Sequence, residues 1–229
     1  MHVKSGFRAI SLPAALTEPM RLKIACPTCE CRYGVIGSAF FCPACGHNAA
    51  EHVFAQSLGT IRASLDAVES VRLAIADRDA AENTCRLLVE SSLQGGITAF
   101  QRFAEALLER HANPPKVRRN VFQNLADGSD VWKAVYGASY DMHLNQGERE
   151  TLGRYFQQRH LLAHKEGIVD EDYIARAGDQ SYRAGQRLVI RESRVRECVD
   201  LIEKLARDMA HDANEGLLTG DIGNEGSPL

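Results

Sequence analysis

Phe156-Gln157-Gln158-Arg159-His160-Leu161-Leu162-Ala163-His164-Lys165-Glu166-Gly167-Ile168-Val169-Asp170 is the segment on which the reading of this chain turns. At about 100° per residue, Leu152, Tyr155, Phe156 and Ala163 gather on one side of a helix, and Arg159 stands in the middle of that apolar face. The helix is expected to start near Gly147, run to Lys165 and stop at Gly167. A buried guanidinium without a partner costs several kcal/mol, so Arg159 is expected to meet a carboxylate, a phosphate or another subunit. His160 and His164, four residues apart, share the neighbouring flank, so one Arg and two imidazoles border a single groove.

Outward from this segment the same period recurs. Ile61, Leu65, Val68, Val71 and Ile75 are spaced by three and four, as are Ile97, Phe100, Phe103 and Leu107 up to the stop at Asn113-Pro114-Pro115. Gly95-Gly96 reads as a break between helices, and Ser129 with Asp130 as the cap of a short helix through Trp132 and Tyr136. A last helix carries Val195, Val199, Ile202, Leu205 and Met209. Apart from a short extended piece at Leu188 to Ile190, nothing after residue 50 reads as strand. Residues 51–211 are thus expected to form a helical bundle, with loose ends at 1–19 and 212–229.

Residues 20–50 differ. Cys26-Pro27-Thr28-Cys29 and Cys42-Pro43-Ala44-Cys45-Gly46 are two knuckles of two-residue spacing, preceded by the alternating Arg21-Leu22-Lys23-Ile24 and separated by a turn at Gly34 and Gly37. Two such knuckles place four thiolates around one tetrahedral zinc. A segment this short is below the roughly 40 residues that fold on a hydrophobic core alone, and structural zinc contributes on the order of 10 kcal/mol or more. Cys31 and His47 are competing ligands by position; Cys85 and Cys198 fall within helical patterns and read as core. A closed four-thiolate site has no open coordination position, so one zinc per chain is expected in a structural role.

The fold class expected is therefore mainly α, a helical bundle preceded by a small β zinc ribbon. The 229 residues suit one ordinary core plus a small module, and no stretch approaches the roughly 18 apolar residues of a membrane span. Seven cysteines, an odd number, without a secretory leader point to a reducing compartment, and the cytoplasm is the expected location. A net charge of -3 offers no long-range attraction to nucleic acid, so RNA contact must come from a local patch. Lys116, Arg118 and Arg119 form a compact basic cluster that could guide RNA or be an ordinary charged loop.

Arg159, a polar residue, three further residues and His164 resemble the signature of the HEPN superfamily, and the resemblance continues through Gly167 and Asp170-Glu171-Asp172-Tyr173-Ile174. The resemblance implies a bundle of four or five helices that forms a homodimer with the two motifs facing each other. It implies an endoribonuclease that needs no metal and leaves a cyclic phosphate, in roles such as toxin or antiphage defence; other members are non-catalytic RNA- or protein-binding modules. Carried over, it assigns Arg159 to the scissile phosphate, His164 to proton transfer at the ribose 2′-hydroxyl and His160 to assisting; a cognate regulator is unspecified. A metal pair formed by His160 and His164 is a further reading, without a Glu after His160 or an evident third ligand.

Overall fold

The computed structural model describes residues 21–36 and 41–220, with backbone only for 21, 22, 36 and 216–220. The ends at 1–19 and 221–229, and Gly37, lie outside these residues. The chain divides into two units, residues 1–49 and 50–229, close to the expected boundary.

In the first unit, β1 (Arg21–Ala25) and β2 (Arg32–Ile36) pair antiparallel, with Ile24 opposite Tyr33 and Lys23 opposite Gly34. Gly34 is thus a mid-strand residue rather than a turn. The turn between the strands is the first knuckle, where Cys26 N–H donates to the Cys31 carbonyl (2.9 Å) and Glu30 N–H to the Cys26 carbonyl (2.9 Å). Among the described residues of this unit, Ile24 is the largest buried aliphatic side chain.

The second unit is mainly helical, as expected: α1 (Ala50–Asp66), α2 (Val68–Ala74), α3 (Arg78–Glu109), α4 (Leu125–Tyr136), α5 (Tyr140–His143), α6 (Gln146–His164), α7 (Glu171–Ala177) and α8 (Glu192–Gly220), with a 3-10 turn at Val121–Gln123. The long α3 is the spine, packed against α1, α2, α6 and α8. Its buried stripe, Val89, Leu93, Ile97, Phe100, Ala104 and Leu107, follows the three-and-four spacing read from the sequence. Phe54 stacks on Phe103 (4.7 Å), and Phe100 meets Tyr140 (6.4 Å) and Phe156 (6.1 Å) edge-on.

Gly95-Gly96 does not break the chain: α3 runs through both. A Cβ at Gly96 would lie 3.5 Å from Ile202, 3.7 Å from Ile61 and 3.8 Å from Val199, so the bare backbone is where α1 and α8 approach α3. The cap of α4 is likewise elsewhere. Asn124 accepts from the amides of Ala126 (3.0 Å) and Asp127 (3.3 Å), while Ser129 lies inside the helix and accepts from Tyr140 N–H (3.0 Å). The pattern Ile61 to Ile75 is split at Ala67 into two helices.

The expected loose tail begins too early at 212. Asp212 accepts from Trp132 Nε1 (2.9 Å) and pairs with His143 Nε2 (2.7 Å), and Ala213 is buried, so α8 continues to Gly220. Leu188 to Ile190 forms no strand; the pairing falls one residue earlier, as a single bridge between Ile168 and Arg187, with Leu188 N–H donating to the Gly167 carbonyl (2.8 Å). Arg187 fastens this bridge to α3 through a bidentate pair with buried Glu90 (2.6 and 3.1 Å). Among the described residues no helix is long and apolar enough to cross a membrane.

Candidate functional site

The two knuckles of the first unit are built alike. Cys42 N–H donates to the His47 carbonyl (2.9 Å) and Gly46 N–H to the Cys42 carbonyl (2.8 Å), repeating the bonds of Cys26 to Cys31. Glu30 (φ 58°) and Gly46 (φ 73°) both turn through the left-handed region at the same step. Cys29 and Cys45 are therefore equivalent, and Cys31 and His47 share the position after the turn, where their carbonyls close the loop. That equivalence explains why Cys29 rather than Cys31 joins the cluster: the Sγ atoms of Cys26, Cys29, Cys42 and Cys45 all lie within 4.8 Å of one another. Cys26 and Cys45 are 3.6 Å apart, as are Cys29 and Cys42. Thiolates at about 2.3 Å from a tetrahedral ion would stand about 3.8 Å apart, so the donor set and spacing fit a soft or borderline metal. Burial pushes the Cys26 thiol up, but the amides of Cys29 and Thr28 aimed at its sulfur outweigh this and bring it to about 6. Cys85 and Cys198, as read, are buried in the helical core.

In the second unit, α6 begins with a full capping box: Asn145 accepts from Glu148 N–H (3.0 Å) and Glu148 from Asn145 N–H (2.9 Å). It ends where Glu166 (φ 52°) and Gly167 (φ 75°) reverse the chain, with Gly167 N–H on the Leu161 carbonyl (3.0 Å). Leu152, Tyr155 and Phe156 are buried as expected. Ala163 is exposed instead. The last turns pack on their other side, where α7 and the Gly167–Leu188 bridge bury Leu161 with Val169, Tyr173 and Leu188.

Arg159 is half-buried and meets no carboxylate among the described residues. Its Nη1 donates to Gln123 Oε1 (3.0 Å), and its Nε is enclosed without a partner. Burial lowers its affinity for the proton. Gln123 in turn donates to Gln101 Oε1 (2.7 Å), and Gln101 donates to Glu105 (2.8 Å) and to Asn120 Oδ1 (3.1 Å). A carboxylate only accepts, so Glu105 fixes the orientation of both amides and leaves an oxygen, rather than an NH₂, facing Arg159. Sequence reasoning missed this chain, because glutamines 22 and 36 residues from their partners carry no local signal.

The rings of His160 and His164 lie 4.8 Å apart at 52°, both exposed at the end of α6. Partial burial, then the charges of His164, Arg159 and Arg176, hold His160 below its ordinary value, against a smaller opposing pull from Asp170. The structure thus brings Arg159, His160 and His164 onto adjoining sides of one helix end. Lys165 is drawn away to Asp170 (2.7 Å). In the basic cluster Arg118 pairs with Asp127, and Lys116 and Arg119 are exposed. Comparison of the chain with protein-family models, curated proteins and solved structures gives no match to any of them.

Proposed function

We propose that the helical unit is a metal-independent endoribonuclease whose site is Arg159, His160 and His164. The observation that carries the reading is Arg159: a guanidinium in a half-buried seat, held at Nη1 by one neutral oxygen and facing no carboxylate, near enough to His160 for its charge to be felt there, with the His164 ring against that of His160. A phosphodiester supplies the missing negative charge, and the guanidinium fork matches its oxygens. A neutral imidazole takes the proton of the ribose 2′-hydroxyl, the 2′-oxygen attacks phosphorus, and the bond from phosphorus to the 5′-oxygen breaks. The second, protonated imidazole gives its proton to that oxygen, leaving a cyclic phosphate and a 5′-hydroxyl end. His164 is assigned to the 2′-hydroxyl and His160 assists, in keeping with the HEPN resemblance. That resemblance also supports a homodimer in which two such helix ends meet.

The four-thiolate cluster is proposed to hold one zinc ion in a structural role. Cytoplasmic location and a role in defence belong to the same reading. The exposure of both imidazoles, with no hydrogen bond orienting either ring among the described residues, is what a non-catalytic RNA- or protein-binding module of this shape would also tolerate. Incubation of the zinc-loaded protein with RNA and with DNA of the same sequence, in EDTA, decides between them. Cleavage of RNA alone supports the enzyme; no cleavage of either leaves the binding module.

A further inference from the structure

Along α6, Arg149, Gly153, Gln157, His160 and His164 are spaced by four, four, three and four residues, which places them in one solvent-facing stripe. From Arg149 to Gln157 this stripe is the floor of a groove of about 820 Å³. One wall is α4 with the start of α5, from Asn124 to Asp141; the other is the end of α7, from Ala175 to Gly178. Asn124 is the neighbour of the Gln123 that holds Arg159, and Arg176 is near enough to His160 to disfavour its protonation. The groove therefore leads to the Arg–His end of the helix.

Four cations line it, Lys133, Arg149, Arg154 and Arg176, against three carboxylates, Asp130, Asp141 and Glu150. The carboxylates are partly engaged: Glu150 accepts from Gln146 (2.9 Å), and Ser139, then Arg149 and Lys133, hold Asp141 in its charged form. Arg149 and Lys133 lie in the field of Asp141, and Arg154 in that of Asp179 and Glu197, but among the described residues none of these four cations closes a salt bridge. In a chain of net charge -3, this is a local reversal of sign. At Gly153 the floor carries no side chain, and a Cβ placed there would meet nothing within 4 Å.

We infer that this groove is the track for single-stranded RNA leading to the Arg159 site. It is too small for a duplex, its cations come from the floor and both walls (Lys133 of α4, Arg149 and Arg154 of α6, Arg176 of α7), and the bare floor at Gly153 leaves room for a strand. The inference rests on the proposed ribonuclease reading and adds where the substrate lies. The probe is a 2′-O-methyl RNA oligonucleotide, which cannot be cleaved, with binding to the full-length protein read by fluorescence anisotropy across a salt series. Gly153→Leu should abolish binding while melting no earlier than the wild type, because it fills open space and improves helix propensity. Arg149→Gln with Arg176→Gln should flatten the salt dependence by about 0.7 for each phosphate that is no longer neutralised. If the wild type binds and these variants bind equally well with the same salt slope, the groove is overturned and the ribonuclease reading stands. If the wild type does not bind RNA at all, both fall.

Discussion

Arg159 keeps its charge beside a single amide oxygen, and the way that oxygen is held makes a prediction at the scale of one residue. Gln123→Leu should leave the helices intact but free the guanidinium, raising KM for RNA more than it lowers kcat, whereas a loss of fold would lower the apparent kcat at unchanged KM, with a lower Tm. His160 makes a second prediction. Because burial and nearby cations favour its neutral form, its titration midpoint, read by NMR, should lie below the ordinary 6.5. Arg159→Gln should move that midpoint up only in part, since burial is the leading cause. A midpoint above 6.5 would contradict the geometry at the end of α6. At this scale the sequence announced the residues with strong chemistry: the paired cysteines and the Arg–His spacing. It hid Gln123, Gln101 and Glu105, whose role depends on a turn at Val121–Gln123 folding back onto α3.

The elements were legible where an apolar stripe had to be covered and illegible where one residue type serves two ends. Gly95-Gly96 reads as a break because glycine lowers helix propensity, yet the same bare backbone admits α1 and α8. Gly96→Ala, whose methyl would make ordinary contacts at 3.5 Å and beyond, should raise stability by up to about 1 kcal/mol. Gly96→Leu should cost about 1–3 kcal/mol by overpacking Ile202 and Val199, and thermal melts of the two variants should move in opposite directions. Ser129 and Asn124 are both capping types; which one caps was decided by the preceding 3-10 turn, beyond the reach of a local pattern. Glu148 completes the box at the start of α6 and pairs with Lys204 of α8 (2.8 Å), so its carboxyl is held below the ordinary carboxylate range, first by Lys204. A depressed carboxyl contributes its stability above the unfolded value and loses it as pH falls through the folded one. The acid side of the stability profile should therefore flatten below about pH 4 in Glu148→Gln relative to the wild type.

On the scale of the whole molecule, the helical unit has a continuous core of its own, whereas among the described residues the first unit buries little beyond Ile24, Ala49, Cys26 and Cys42. About one zinc per chain should be found by metal analysis, and Cys42→Ser should lose it while Cys31→Ser keeps it, because Cys31 occupies the loop-closing position of its knuckle. Helical circular dichroism should survive that loss. Light scattering should give twice the chain mass if Arg159 faces its equivalent across a two-fold axis. The most direct measurement is single-turnover cleavage of an RNA oligonucleotide by zinc-loaded wild type and His164→Ala in EDTA. The account predicts a cyclic-phosphate product from the wild type and a loss of about a hundred to ten thousand fold in His164→Ala at unchanged fold. Equal rates in the two proteins, or no cleavage by the wild type, would contradict it.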